Sequence, residues 1–314
     1  MKKLSLLILM FTMLIMLAAC GSEERAGTTS AEGKSETEEM TIKHEYGEAT
    51  VKKNPEKVVV FDFGVLDTLD ELGVEVAGLP QVTVPQYLKK YAGKEYTNVG
   101  SLKEPDFEAI HAMKPDVIFI SGRQAELYDQ FAEIAPTVFI TMDYANYMES
   151  FEKNMKLIGE IFEKEELVAD KLKEVHASIE EISAETSASE KKALLVLANE
   201  GKVSAYGAGS RYGFIHDVFG FKAADENIEV SQHGQSITFE YILEKNPDIL
   251  FVIDRTAAIG GDAGAKETVE NELVKKTNAH KDGKIIYLAG DNWYLSGGGL
   301  QSMKVMIEEL KAAL

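Results

Sequence analysis

Two arginines occupy matching positions in two similar segments of the chain. The segment that ends at Arg123 reads FEAIHAMKPDVIFISGR, and the segment that ends at Arg255 reads FEYILEKNPDILFVIDR. A glutamate stands 15 residues before each arginine, at Glu108 and at Glu240. A guanidinium group stays charged at physiological pH and donates hydrogen bonds from a planar fork, which suits anionic oxygens. The repeat therefore predicts two equivalent cationic positions.

Each repeated segment predicts half of an α/β unit. It reads as a short helix, a Pro-Asp turn and an apolar run typical of a strand buried on both faces of a parallel sheet. Since the helix runs antiparallel to the strand that follows, its first turn and the carboxyl end of the strand lie at one edge of the sheet. Ligands of open α/β sheets bind at that edge. In a two-lobed protein, Arg123 and Arg255 would therefore face one cleft.

A third arginine, Arg211, lies in the glycine-flanked turn GSRYG after another predicted strand. Three arginines at strand ends predict a pocket for a polyanionic ligand, although any one of them alone is explained as a solvated rim residue. The chain carries a formal net charge of −19, but salt screens that field beyond about 8 Å. A charge-assisted hydrogen bond in a dry pocket contributes roughly 1.5–3 kcal/mol. We therefore expect the three arginines to bind an anionic ligand in spite of the overall negative charge of the chain.

The N-terminus predicts export and attachment to the cell membrane. Two lysines precede a short apolar run that ends in Leu-Ala-Ala-Cys at Cys20, a pattern typical of a secretory signal peptide rather than a membrane-spanning helix. The last four residues resemble the bacterial lipobox, which implies a signal peptide over residues 1–19 and a lipidated Cys20. The alternative is an ordinary signal peptide with an incidental cysteine. Cys20 is the only cysteine, so an intrachain disulfide and a catalytic thiol are excluded.

The remainder predicts a tether and two lobes. Residues 20–40 are polar with almost nothing to bury, which favours a flexible tether. We expect an N-terminal α/β lobe over residues 41–146, a helical region with the connecting helix over 147–187, and a C-terminal α/β lobe over 188–314. Apolar residues three and four apart in the helical region predict an amphipathic helix that resists hinge bending; these are Val168, Leu172, Val175, Ile179 and Ile182.

Composition and motifs argue against several functional classes. The strong negative charge argues against nucleic acid as a partner. No Gly-x-Ser-x-Gly segment occurs, so the sequence lacks the nucleophile elbow of an α/β-hydrolase and we do not expect an enzyme. The six histidines lack the paired spacing of a bare-metal site. Glycine runs precede two predicted helices but form no Walker loop, which argues against a nucleotide site.

Several longer motifs carry a resemblance to a known family. They are NPEKVVVFDFGVLDTLDELG near the start of the body, SGRQ at 121–124, SRYGFIHDVFG at 210–220, HGQS at 233–236, VIDR at 252–255 and WYLSGGG at 293–299. Through them the chain resembles, over roughly residues 40–314, the class III substrate-binding lipoproteins of iron-siderophore and cobalamin ABC importers. Within that family it is most similar to the group that binds ferric petrobactin and related catecholate siderophores.

The resemblance implies a fold and a role. The fold is the class III periplasmic binding protein fold, an α/β architecture of two Rossmann-like lobes joined by one long rigid α-helix. The role is that of a monomeric receptor without an intrinsic cofactor, which passes a ferric siderophore to ABC permease subunits. A haem- or cobalamin-binding protein of the same fold is the alternative; cobalamin would not require three arginines, and haem would favour an axial His or Tyr with fewer cations.

Three further residues are expected in the binding site. Fe(III) is a hard cation that accepts phenolate and imidazole, and the resemblance points to His233 and Tyr294 as ligands for iron that a siderophore of low denticity leaves partly uncoordinated. Each also has an ordinary explanation, as a hydrogen-bonded loop residue and as an aromatic that packs on the ligand. Trp293 is expected to supply a ring surface for catecholates or for an arginine.

Glu108 and Glu240 are expected to dock the protein on its permease. A glutamate in the first turn of a helix is explained by the helix dipole alone, which contributes about 0.3–1 kcal/mol. Their equivalent positions on two lobes nevertheless suit a two-point contact, and the resemblance implies that these glutamates meet permease arginines.

Overall fold

The structure, a computed structural model, describes residues 38–261 and 264–314. The predicted signal peptide, Cys20 and all but the last residues of the predicted tether lie outside this part of the chain. A hairpin of β1 (Glu39–His44) and β2 (Gly47–Lys52) opens the described body. Regular structure thus begins two residues before the expected start of the first lobe.

Two sheets form the body. In spatial order, the first comprises β5 (Thr97–Asn98), β4 (Gly78–Leu79), β3 (Val58–Val60), β6 (Val117–Ile120) and β7 (Thr137–Phe139), all parallel. The second comprises β11 (Gln235–Ile237), β9 (Lys202–Tyr206), β8 (Lys192–Asn199), β12 (Ile249–Asp254) and β13 (Ile285–Leu288), with β10 (Lys222–Ala223) also paired to β8. Strands β8, β12 and β13 are parallel, whereas β9 is antiparallel to β8 and to β11. The sequence therefore predicted both α/β sheets correctly.

Helices lie between and beside the strands. They are α1 (Phe63–Glu71), α2 (Phe107–Met113), α3 (Tyr128–Ala132), α4 (Tyr147–Ile161), α5 (Glu165–Ala188), α6 (Phe214–Asp217), α7 (Phe239–Lys245), α8 (Arg255–Ala258), α9 (Ala265–Val269), α10 (Asn278–Lys281) and α11 (Leu300–Ala313). No helix within residues 38–261 or 264–314 combines the length and apolarity needed to cross a membrane.

The two repeated segments fold alike in detail. Helices α2 and α7 both end at a residue in the left-handed conformation, Lys114 with φ 50° and Asn246 with φ 42°. The Pro-Asp turn then places Asp116 or Asp248 so that its carboxylate accepts the backbone N–H at the start of the neighbouring strand, at 2.8 and 2.9 Å. The repeat thus encodes a strand-positioning turn on the edge opposite the arginines.

The helical region contains two helices. Helices α4 and α5 are separated at residues 162–164, where Glu163 has a φ of 52°. The 24-residue α5 is followed directly by β8, so the chain passes from one sheet to the other through this helix. Its predicted apolar stripe faces the core: Val168, Leu172, Val175 and Ile182 are buried, and Ile179 packs against them.

The C-terminal helix α11 connects parts of the molecule that are distant in sequence. It packs on α1 of the first lobe and on α5. One apolar cluster runs without interruption through α1, α4, α5, α11 and the inner faces of both sheets. Smaller clusters cover the outer face of each sheet. The sequence boundaries assigned α11 to the second lobe, and they did not predict its contact with the first.

Candidate ligand-binding cleft

A cleft of about 1110 Å³ lies between the carboxyl-terminal edges of the two sheets. Its walls come from the segments that follow β6 and β7 in the first lobe and β8, β9 and β12 in the second, together with residues 294–298. This is the edge at which the repeat placed Arg123 and Arg255. Arg123, Arg211 and Arg255 all line this cleft.

The three arginines converge on one tyrosine, Tyr294. Arg123 and Arg211 each donate from Nη2 to the backbone oxygen of Tyr294, at 3.0 and 2.8 Å. Arg255 donates from Nε to the phenolic oxygen at 2.8 Å. The guanidinium carbons lie 5.9, 4.9 and 5.1 Å from the ring centroid for Arg123, Arg211 and Arg255, within the range of cation–π attraction. Residues from both lobes therefore share one aromatic centre.

The backbone explains why each arginine points into the cleft. Arg123 is the second residue of a 3₁₀ turn that begins at Gly122 shortly after β6, and Arg255 is the first residue of α8 directly after β12. Arg211 sits in a tight turn in which a Cβ at Gly213 would lie 2.5 Å from the oxygen of Gly207. Asn199, at the end of β8, accepts from Nη1 of Arg255 at 2.5 Å and fixes its orientation.

The arginines alter the acidity of Tyr294. Burial alone would raise the pKa of this phenol. The hydrogen bond from Arg255 and the positive charges of Arg255, Arg211 and Arg123 outweigh burial and lower the pKa below its ordinary value. The phenolate form, which is a hard oxygen ligand, therefore costs less free energy to reach at Tyr294 than in a tyrosine with the ordinary pKa. The same charges would attract any anionic ligand that enters the cleft.

His233 reaches the cleft on an exposed loop. The loop lines the cleft from Val230 to His233, and its backbone turns at Gly234 with φ 74°. A Cβ at Gly234 would lie 2.7 Å from the ring of Tyr206, so glycine is required for the loop to rest on β9. Val230 is 65% exposed, which leaves an apolar surface at the mouth. The structure thus brings His233 and Tyr294 to one cleft.

Trp293 lies behind the cleft wall. Its side chain is 1% exposed, stacks on Phe214 with ring centroids 5.4 Å apart, and donates from Nε1 to Glu309 at 2.6 Å. It does not line the cleft. The aromatic surfaces at the wall belong to Tyr144, Tyr206 and Tyr294 instead. The expectation that Trp293 presents its ring to the cleft is therefore wrong, and the rings that line the cleft are those of tyrosines.

Several cleft residues escaped the sequence reasoning. Lys103 and Lys202 add cations, Tyr144 and Tyr206 add aromatic rings, and Asp62 adds a carboxylate. Asp62 also accepts the N–H groups that begin α1. Lys202 directly follows the Glu-Gly turn that joins β8 to β9, so the local sequence carried a signal for its position near the cleft edge. Lys103 lies in an irregular loop without such a signal.

Glu108 and Glu240 lie at the predicted helix starts. They are exposed in the first turns of α2 and α7, and neither lines the cleft. The first-turn N–H groups of these helices are capped by other residues, Asp106 in α2 and Thr238 in α7. Capping therefore does not require the two glutamates.

No cluster of three or more His, Cys, Asp or Glu residues that could hold a metal ion occurs within residues 38–261 and 264–314. Within the same part of the chain, the cleft instead offers one imidazole, three phenols, one carboxylate and five cationic side chains. Such a donor set repels a bare cation and suits a metal that arrives inside an anionic complex.

Comparisons with known proteins point in one direction. The family model described as "Periplasmic binding protein" matches residues 58–291. The petrobactin-binding protein YclQ of Bacillus subtilis is 49% identical over 318 residues, which cover 100% of this chain and 99% of that protein. Its crystal structure superposes with a TM-score of 0.86 at 51% identity, covering 88% of this chain and 98% of that one. The catecholate-siderophore binding protein VctP of Vibrio cholerae gives a TM-score of 0.81 at 36% identity, covering 88% of this chain and 100% of that one.

Proposed function

Because the chain belongs to the periplasmic binding protein family, we propose that it is an extracytoplasmic receptor that captures a ferric siderophore and delivers it to an ABC permease for iron uptake. The convergence of Arg123, Arg211 and Arg255 on one cleft carries the proposal. A ferric siderophore with catecholate or carboxylate donors is an anionic complex, and charge-assisted hydrogen bonds from arginine match its oxygens. The complex is cargo, and the protein binds it without chemical change.

The ligand we propose is a catecholate-containing siderophore similar to petrobactin. A relative that is named for petrobactin shares about half of its residues with this chain over its full length, and a structural relative is named for catecholate siderophores. The cleft agrees with this choice, because tyrosine rings at its wall offer faces to catechol rings while the cations meet their oxygens.

His233 and Tyr294 would contact the iron only when the siderophore leaves coordination positions free. A siderophore with six donors saturates Fe(III), and the two side chains would then bind the organic part. A siderophore with four donors leaves two positions, which imidazole and phenolate can fill. The lowered pKa of Tyr294 supports the phenolate role.

Fluorescence of Trp293 tests the proposal. It is the only tryptophan, and it directly precedes Tyr294 in the cleft wall. Titration with ferric petrobactin should quench its emission to saturation, whereas haem and cobalamin should leave it unchanged. Saturable quenching by haem or cobalamin, together with no response to ferric petrobactin, would show that the protein binds that ligand and would refute the siderophore assignment.

We also propose that Cys20 carries the lipid anchor. Replacement of Cys20 with Ala should release or misprocess the protein while the affinity of the purified body for ferric petrobactin stays unchanged, since the cleft belongs to the described body. Detergent phase partitioning measures the change. A Cys20→Ala protein that is cleaved and still enters the detergent phase would show that the anchor lies elsewhere.

A further inference from the structure

The first turn of α11 is capped by residues of α1. The residue before this helix, Gly299, has no side chain to accept the free N–H groups that every helix start exposes. Acceptors from the first lobe take its place. The bonds are Leu300 N–H to Thr68 Oγ1 at 3.2 Å, Gln301 N–H to Asp67 Oδ1 at 3.3 Å, and Ser302 N–H to Asp67 Oδ2 at 3.0 Å.

Asp67 is enclosed where the two elements meet. The residue is 0% exposed, and the hydroxyl of Tyr87 donates to its Oδ2 at 2.9 Å. A Cβ at Gly299 would lie 1.8 Å from Oδ1 of Asp67 and 2.3 Å from the oxygen of Gly64. Glycine at 299 is therefore required by the space that Asp67 and α1 occupy. The positive end of the α11 dipole favours a carboxylate at this place.

The capped turn leads directly into the cleft wall. Residues 294–298 line the cleft, and Gly299 connects them to α11. Arg123 and Arg211 hold one end of this segment through the backbone oxygen of Tyr294. The other end is fixed by the contact of α11 with Asp67. Between them the chain passes so close to α1 that a Cβ at Gly64 would lie 2.5 Å from the oxygen of Ser296.

We propose that Asp67 is a positioning residue for ligand binding, which ties the start of α11 to the first lobe and thereby holds residues 294–298, including Tyr294, in the cleft. Asp67 does not line the cleft, so it acts through the segment it anchors. The proposal rests on the proposed function for its ligand, but its structural part does not depend on that ligand.

Two variants and one matched control test the proposal on the full chain. Asp67→Asn keeps the size of the side chain but replaces one acceptor oxygen by a donor, and Thr68→Val removes the acceptor of the Leu300 N–H. The control is Asp116→Asn, because Asp116 also accepts two backbone N–H groups of another element, at 3.1 and 2.8 Å, on the edge remote from the cleft. Affinity for ferric petrobactin and amide hydrogen exchange are measured for each protein.

We expect Asp67→Asn to weaken binding about tenfold, since roughly one buried hydrogen bond is lost, and to accelerate exchange at residues 294–302 while β6 stays protected. Thr68→Val should change the same amides with a smaller loss of affinity. Asp116→Asn should leave the affinity for ferric petrobactin and the exchange at residues 294–302 unchanged. Unaltered exchange at residues 294–302 in Asp67→Asn would overturn the proposal, as would acceleration of equal size in β6. If the wild type fails to bind ferric petrobactin, the proposed function falls, and the exchange pattern alone decides the role of Asp67.

Discussion

Arg123, Arg211 and Arg255 reach Tyr294 from three different elements, so no single loop builds the site. Each guanidinium is held by a named acceptor, which reduces the side-chain entropy that binding would otherwise cost. The arginines are thus preorganised around a phenol that an anionic ligand can join or displace. The chain as a whole has a net charge of −19, but the three arginines make the electrostatic potential inside the cleft positive.

Loss of any one arginine should weaken binding strongly. Replacement of Arg123, Arg211 or Arg255 with Ala removes a charge-assisted contact, and we expect a loss of roughly 1.5–3 kcal/mol, about ten- to hundredfold in Kd. Tryptophan titration with ferric petrobactin measures the loss. Lys173→Ala, on the exposed side of α5, is the matched control and should bind normally. Wild-type curves for all three arginine variants would refute the assignment of the pocket.

The buried Asp67 predicts a pH-dependent stability. Burial raises the pKa of Asp67 to about 7, in spite of hydrogen bonds from Ser302, Tyr87 and Gln301. The folded protein therefore binds this proton more tightly than the unfolded chain, whose carboxyl has the ordinary pKa of 3.8. The resulting stabilisation of the folded state is complete below the pKa of the unfolded chain, 3.8, and is lost as the pH rises through the pKa of the folded protein, about 7.

Comparison with Asp67→Asn isolates this effect. As pH rises from about 4 to about 8, the free energy of unfolding of the wild type should fall relative to that of the variant. Three neighbours of Asp67 titrate outside this window, because burial raises the pKa of Tyr87 and of Tyr147, and hydrogen bonds from Lys90, Gln301 and Tyr91 outweigh burial to lower the pKa of Asp70. Urea denaturation measures the difference, and parallel stability curves would contradict the prediction.

At the scale of elements, the close passage of α1 beside the cleft wall determines what residue 64 can be. Helix propensity alone would favour alanine over glycine by about 0.5–1 kcal/mol. A Cβ at Gly64 would, however, meet the backbone oxygen of Ser296 at 2.5 Å. The backbone cannot move aside as a flexible side chain can. The steric clash should therefore outweigh the gain in helix propensity, and alanine at position 64 should destabilise the protein.

Gly64→Ala should therefore lower the free energy of unfolding by roughly 1–3 kcal/mol. It should also weaken ferric-siderophore binding, because the added methyl group would displace Ser296 in the cleft-lining segment that includes Tyr294. Gly264→Ala is the control, since a Cβ there would have no heavy atom within 4 Å. Thermal unfolding and the tryptophan titration measure the two effects. A Gly64→Ala protein at least as stable as the wild type would contradict this reading of the contact.

The elements that the sequence predicted are those whose signals are local. The repeated helix-turn-strand units and the apolar stripe of α5 follow from periodicity and turn residues, and the family match and solved relatives confirm the class III periplasmic binding protein fold. The same locality placed Arg123 and Arg255. What the sequence did not predict depends on contacts between distant residues: the burial of Trp293, the capping of α11 by Asp67 and the approach of Lys103 to the cleft.

For the whole molecule, one continuous core joins the two lobes through α4, α5 and α11. Relative motion of the lobes would expose apolar surface, which costs about 25 cal/mol for each Å². We therefore propose that the lobe pair is rigid, as the connecting helix predicts. A rigid receptor would present its outer surface to a permease in nearly the same shape with or without ligand, and recognition would then rely on fixed surface groups.

Glu108 and Glu240 are the surface groups that we expect to meet the permease. They lie exposed in equivalent first turns of α2 and α7, one on each lobe. Changing both to Ala should abolish iron uptake in cells while the affinity for ferric petrobactin is preserved, because neither residue lines the cleft. Each single change should have a smaller effect, since the remaining carboxylate still orients the complex.

Charge reversal separates docking from helix stabilisation. Glu108→Arg with Glu240→Arg would place cations against the arginines that the resemblance implies on the permease, and it should stop uptake. The matched control is Glu149→Arg with Glu165→Arg, two exposed glutamates in the first turns of α4 and α5. Both pairs should lose similar helix-dipole stabilisation, about 0.3–1 kcal/mol for each glutamate. If the glutamates served only their helices, the two pairs would transport iron equally well, and normal uptake by the folded Glu108→Arg, Glu240→Arg protein would rule out docking. Reduced affinity of that protein for ferric petrobactin would instead place the two residues at the cleft.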